Sequence, residues 1–265
     1  MVPLTKKHDW FTAYLVAQGF WVGGSQSQIF DSDKVKAIET IRILKGANKF
    51  TSVLILDLYS GSLNSKEMLD YARKVKEKSI LKPDVVLFIL HGTKTHFSVI
   101  VETNILTDLD TNLLLRELQK IDPTIVGKSK QLKNINKTYN DYFHRWARTH
   151  LKGFQTDVDA ILREGNKITL FELKRPQENI SSWEPYFADI NNYLNLQDFC
   201  SLYNYELINI AYNSGRHEYI KVFQNIVNTY GNSITYKSSI LEVESGIKLI
   251  SQIRSLSYGS NHSAR

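Results

Sequence analysis

One short stretch of the chain, GFQTDVDAILREGNKITLFELKRP at residues 153–176, holds three acids and a lysine at spacings that could do chemistry together: Asp157, Asp159, Glu172 and Lys174. Segments 154–163 and 167–174 read as strands, and Gly165 with Asn166 reads as the centre of a tight turn. A two-residue loop there sets Glu164 opposite Lys167, which puts Asp159 opposite Glu172 and Asp157 opposite Lys174. Strand alternation then gives Asp157 and Asp159 one face and gives Glu172 and Lys174 one face of the partner strand. Opposed carboxylates that start about 5 Å apart repel each other. A hard divalent cation relieves that repulsion, and Mg²⁺ takes carboxylate, carbonyl and water oxygens. Asp159 and Glu172 are therefore the expected metal ligands, with the backbone carbonyl of Leu173 as a further oxygen.

Lys174 lies one strand period beyond Glu172. There it can orient an attacking water and favour its deprotonated form, or stabilise charge that grows on a phosphoryl oxygen. Asp157 is grouped with the catalytic residues as a second metal ligand or a partner for Lys174, with an ordinary polar strand position as its plain alternative. A solvent-facing hairpin decorated with charges is the plain alternative for the whole cluster. The apolar neighbours in TLFEL argue against it, because they imply a buried strand where uncompensated charge is expensive.

At these residues the chain resembles the PD-(D/E)xK, or restriction-endonuclease-like, nuclease superfamily, whose signature is an acid on one strand and Glu-x-Lys on the next. Asp159 matches the first acid, and Glu172-Leu173-Lys174 matches the second element. The resemblance implies Mg²⁺-dependent phosphodiester hydrolysis, with Lys174 in the family's lysine role. Downstream, a helix within 181–200 and a strand at 206–211 are compatible with the β-α-β connection of the family core. Two departures stand out. No proline precedes the acid, since Thr156 precedes Asp157 and Val158 precedes Asp159. The family also places a helix and a first strand before the hairpin, whereas a helix at 138–150 leaves only a few residues before Asp157. Either upstream chain, with 96–102 as the candidate, supplies that strand and makes Glu102 an extra acid, or the core is rearranged.

The remaining pattern is that of an α/β protein. Residues 6–18 read as an amphipathic helix ending near Gly19, and Asp31 or Ser32 caps a second helix through Leu44. Strands are expected at 50–58, 85–90 and 96–102, and helices at 65–79 and 107–119. In the helix at 138–150, Tyr139, Tyr142, Phe143, Trp146, Ala147 and His150 recur at helical spacing, while Arg145, Arg148 and Lys152 share the exposed side. The expected organisation is a restriction-endonuclease-like mixed sheet flanked by helices, with an additional N-terminal α/β region. Residues 1–127 form that recognition or dimerisation region, 128–254 form the nuclease core behind a basic helix, and 255–265 form a flexible tail.

The net charge of +6 is uneven. Lys and Arg outnumber Asp and Glu by 22 to 15 in residues 1–150 and fall behind by 11 to 12 thereafter, so the whole excess is N-terminal. Within 128–152, seven cations face only Asp141, a local field that suits a polyanion. Lys133, Lys137, Arg145, Arg148 and Lys152, with Arg175 in a support role, are the expected DNA contacts.

One cysteine excludes an internal disulfide and a four-cysteine zinc site, and suits a cytoplasmic protein. Cys200 ends an apolar helix pattern and reads as core, and His91 and His96 read as loop residues. No segment is long and apolar enough for a membrane helix, and no phosphate-binding loop or dinucleotide fingerprint implies a nucleotide cofactor. These readings converge on a Mg²⁺-dependent, sequence-specific endonuclease for double-stranded DNA of the type II restriction kind, acting as a homodimer. A repair, recombination or phage-defence nuclease on branched, damaged or single-stranded DNA is the enzymatic alternative. A non-catalytic nucleic-acid-binding protein with a degenerate nuclease fold is the other.

Overall fold

The computed structural model describes residues 9–24, 36–47, 49–60, 63–78, 85–90, 97–101, 104–127, 142–152, 154–213, 215, 219–229, 233–244, 246–256 and 261–263. The protein is mixed α/β, and its chain divides into two compact units. One comprises residues 1–7 and 23–157, the other residues 8–22 and 158–265. The division therefore falls just before Asp159 and not at residue 127, and the second unit is assembled from both ends of the chain. No helix among the described residues is long and apolar enough to cross a membrane.

The second unit begins with α1 (Trp10–Ala17) and β1 (Trp21–Val22). Asp9 caps α1 reciprocally: its carboxylate accepts the Thr12 N–H at 3.1 Å, and its own N–H donates to Thr12 Oγ1 at 3.1 Å, a capping box that satisfies donors at the helix start.

The chain then builds the other unit, from β2 (Lys36–Lys45), β3 (Phe50–Ser60), α2 (Ser65–Lys78), β4 (Val85–Leu90), β5 (Phe97–Val101), β6 (Asn104–Leu109), α3 (Thr111–Ile121), α4 (Tyr142–His150) and β7 (Phe154–Val158). Its sheet has the order β6-β5-β4-β3-β2-β7. Residues 36–45 thus form a strand where a helix was expected. Apolar residues at 37, 38, 41 and 44 satisfy a helical stripe, but Ile38, Thr40, Ile41 and Ile43 are β-branched and pair with β3 along its whole length. Ile41, Arg42, Ile43 and Leu44 are all buried, so both faces are covered and the alternation that marks a half-exposed strand is missing. From α3 and α4, Leu114, Leu118, Phe143, Trp146 and Ala147 pack on Leu44, Val53 and Ile55. The basic helix accordingly belongs to this unit and not to the one that holds Glu172 and Lys174.

Returning to the second unit, the chain forms β8 (Ala160–Glu164), β9 (Lys167–Lys174), a 3-10 turn (Phe187–Asp189), α5 (Ile190–Tyr203), β10 (Glu206–Tyr212), β11 (Tyr219–Thr229), β12 (Ser233–Glu242), α6 (Leu249–Ser255) and β13 (Asn261–Ser263). The sheet order is β1-β8-β9-β10-β11-β12-β13, with β9 and β10 parallel and α5 as their crossover. Gly165 makes the hairpin turn at φ 60°, a left-handed conformation that costs glycine nothing, and Glu164 pairs with Lys167 as the turn predicts. One face of the sheet buries Phe171, Ile208, Ile210 and Tyr212 under α1 and α6. The other buries Ala211 and Phe223 under Tyr193 of α5 and Trp183. Residues 261–263, expected in a fraying tail, instead pair with β12.

Within the second unit, with the intervening residues 23–157 left out, the order around the hairpin is helix, strand, hairpin, helix, strand. The strand that precedes the hairpin in this unit is β1, which lies antiparallel to β8. Residues 97–101 belong to the other sheet, and Glu102 lies outside the described residues.

Candidate active site

The ladder between β8 and β9 stops at Ala160 and Phe171, one residue short of the projected pairing of Asp159 with Glu172. The residues before Asp159 already belong to β7 and the other sheet. The backbone N–H of Leu173 thereby loses its strand partner, and the side chain of Asp159 replaces it, Oδ2 accepting at 2.9 Å. A carboxylate on a backbone N–H makes a strong, charge-assisted hydrogen bond. It fixes the Asp159 carboxylate at the peptide that follows Glu172.

Glu172 is 6% exposed, and alternation puts Lys174 on its side of the sheet. Lys174 Nζ lies 2.9 Å from Glu172 Oε1, 2.9 Å from Asp189 Oδ2 and 5.1 Å from the centre of the Tyr193 ring. Burial works against the ammonium, but Glu172, Tyr193 and Asp189 outweigh it and hold Lys174 well above the ordinary lysine range. Burial, foremost, pushes the Tyr193 phenol up as well. Lys174 is therefore a fixed cation with three N–H donors. It can orient a water or stabilise an oxyanion but has no lone pair with which to act as a base.

Asp157 is elsewhere. It lies on β7 in the six-stranded sheet, where its Oδ1 is 3.2 Å from Nε of Arg42, a guanidinium only 2% exposed. The expected pairing with Lys174 does not form, because the hairpin ladder ends before reaching it. Asp159, Glu172, Leu173 and Lys174 are brought together, and Asp157 is not among them.

Arg175 projects from the opposite face to Lys174, as alternation requires, and its Nη1 lies 3.4 Å from Asp9 Oδ2. The same oxygen accepts the Tyr212 hydroxyl at 2.7 Å, so Arg175 is tied to the start of α1. Lys133 and Lys137 lie outside the described residues, as do His91 and His96. Arg145 and Arg148 are on α4, with side chains that are not described, and Lys152 is exposed just after that helix. Cys200 is buried, and burial pushes its thiol up to about 12, which suits the core role read for it.

Comparison with known protein families, with curated proteins and with solved structures finds no match.

The donor set must therefore be judged on its own chemistry. Asp159, Glu172 and the Leu173 carbonyl are hard oxygens of the kind Mg²⁺ takes. Asn209 of β10 sits in register with Glu172 and is 1% exposed. Its amide N–H₂ donates to the Phe223 carbonyl at 3.2 Å, while its Oδ1 has no hydrogen-bond partner among the described residues. A buried oxygen without a donor is costly, and a cation or its water shell would satisfy it. Among the described residues no three His, Cys, Asp or Glu side chains gather as a metal-binding group. Two carboxylates and a carbonyl would leave the rest of an octahedral shell to water and phosphate oxygens. Reading the sequence missed Asn209 and Asp189. Asp189 was within reach, since it precedes Tyr193 by one helical turn and so shares its face.

Proposed function

We propose that this chain is a Mg²⁺-dependent endonuclease that hydrolyses phosphodiester bonds of double-stranded DNA at a specific sequence, in the manner of restriction enzymes, and that it works as a homodimer with one site for each strand. The observation that carries the reading is the ammonium of Lys174 clamped by Glu172, two residues along the strand from it and next to the peptide N–H that Asp159 holds. The succession of helix, strand, hairpin, helix and strand within the second unit supports it, being the order that the resemblance implies.

In this reading Asp159, Glu172 and the Leu173 carbonyl would hold Mg²⁺, which when bound supplies Lewis acidity that offsets the negative charge of phosphoryl transfer. Lys174 keeps its proton and directs its N–H donors at the reacting phosphate or at the attacking water. Glu172 and Asp189 hold that ammonium in place, which limits the reorganisation needed when charge develops. The burial of Glu172 strengthens each of these interactions relative to water.

The test is incubation of the protein with mixed-sequence duplex DNA and Mg²⁺, followed by mapping of the ends, beside Glu172→Ala and Lys174→Ala. The wild type is expected to produce fragments with uniform ends. Each variant is expected to cut about 100-fold more slowly or worse while still binding the duplex, because it removes groups that act on the transition state. Intact DNA with the wild type, or undiminished cutting by both variants, overturns the reading.

A further inference from the structure

Between β9 and α5 the chain walls a cavity of about 300 Å³ whose lining includes Lys174, Arg175, Gln177, Trp183, Tyr186 and Asp189. Its wall is rigid. The N–H groups of Ser182 and Trp183 donate to the Asn179 carbonyl at 3.1 and 3.0 Å, Lys221 Nζ donates to the Trp183 carbonyl at 2.6 Å, and the Trp183 ring packs 5.7 Å from Phe223. Trp183 is 1% exposed. The Trp183 ring therefore serves as a buried backing to the cavity wall and holds Tyr186 in place edge-on.

The charges say what does not enter. Lys174 is balanced by Glu172 and Asp189, and Arg175 by Asp9, while Glu178 adds a carboxylate beside the Tyr186 hydroxyl at 3.5 Å. A second phosphate would find no uncompensated cation there. A flat neutral ring with polar edges meets better partners. Tyr186 is 51% exposed, stands edge-on to Trp183 at 85° and can stack on such a ring. The Gln177 amide carries both a donor and an acceptor. The volume is at the lower end for small-molecule sites, enough for one base and too small for a stretch of duplex.

We infer that this cavity receives a single unpaired nucleobase, so that the site acts on DNA with one nucleotide turned out of its stack next to the scissile phosphate; the inference rests on the nuclease reading for the identity of the polymer. Enzymes that turn out a base bind most tightly where the base is already unpaired, because the cost of unstacking has been removed.

The experiment measures binding of the full chain in EDTA, by fluorescence anisotropy, to three duplexes of equal length: fully paired, with one bulged nucleotide, and with the same bulge lacking its base. The bulged nucleotide is expected to tighten binding about tenfold over the paired duplex, the worth of one stacked base. The abasic bulge is expected to show no such gain. Tyr186→Ala should erase the preference and Tyr186→Phe should keep it. Tyr186 is exposed enough for both variants to fold, which melting curves verify. Equal binding of paired and bulged duplexes, an equal gain from the abasic bulge, or a preference that survives Tyr186→Ala overturns the inference. Mg²⁺-dependent cutting of the same duplexes, with Glu172→Ala as control, reports on the nuclease reading separately, so either can fail alone.

Discussion

Asp189, which reading the sequence passed over, is the partner of Lys174 that Asp157 was expected to be. Asp157 lies two residues before Asp159 but faces the guanidinium of Arg42, whereas Asp189 lies fifteen residues beyond Lys174 and touches its ammonium. Asp157→Asn is expected to leave DNA cutting nearly unchanged and to destabilise the fold by about 1–2 kcal/mol. That value lies between an exposed and a buried ion pair, since Asp157 is half exposed and Arg42 is not. Asp189→Asn is expected to do the reverse. As a positioning residue it should lower kcat about 10- to 100-fold with little change in DNA affinity. Asp189→Glu, which keeps a carboxylate within reach of the ammonium, should recover much of the lost rate, which a merely structural role would not explain. Parallel urea melts and kcat measurements separate the two. A catalytic loss in Asp157→Asn, or an undiminished kcat in Asp189→Asn, contradicts the assignment.

At the scale of elements, α6 is fastened to the turn end of the hairpin by Arg254, which reaches Glu164 at 2.8 Å and Glu206 at 3.0 Å. Glu206 also meets Lys167 at 3.0 Å and accepts the Thr169 hydroxyl at 3.0 Å. Burial would raise its carboxyl, but the hydrogen bonds from Lys167, Arg254 and Thr169 outweigh it and hold Glu206 below its ordinary value. A depressed carboxyl contributes stability that is complete above its unfolded pKa and is lost as pH falls through its folded one. Thermal melts between about pH 5 and pH 3 should therefore show the wild type losing stability with acid, and Glu206→Gln losing less over the same interval. Parallel acid limbs in the two proteins would remove Glu206 from the account.

The hairpin of this network was readable from sequence because its register depends on two turn residues and simple alternation, both local. The strand at 36–45 was not, since its ten residues satisfy helical and extended spacing equally and only pairing with β3 decides between them. The same limit applies to Asp159. Its pairing with Glu172 was projected as if the strand continued, while the chain passes into another sheet there and the carboxylate takes over the lost backbone bond.

For the whole molecule, the informative fact is where the other unit interrupts this one. Val22 on β1 pairs antiparallel with Ala160 on β8, so the two chain ends that flank residues 23–157 lie as close as the two arms of a hairpin. Antiparallel neighbours need only a short turn to join them. Replacing residues 24–157 by a short Gly- and Asn-containing turn, with Gly23 and the segment from Val158 onward retained, should thus leave α1, the seven-stranded sheet, α5 and α6 able to fold around their own core. A cooperative thermal transition, followed by circular dichroism, is the expected sign. The variant keeps Asp159, Glu172, Lys174 and Asp189, and loses the seven cations of 128–152. It should bind duplex DNA more weakly and with a shallower dependence on salt, because fewer phosphate contacts release fewer counterions. Mg²⁺-dependent cutting should persist at raised protein concentration, with ends that no longer map to one sequence, since recognition is expected in the removed residues and hydrolysis in those retained. A folded variant with the wild-type salt slope would move the phosphate contacts into the second unit, and one that still cut at a unique sequence would move recognition there too.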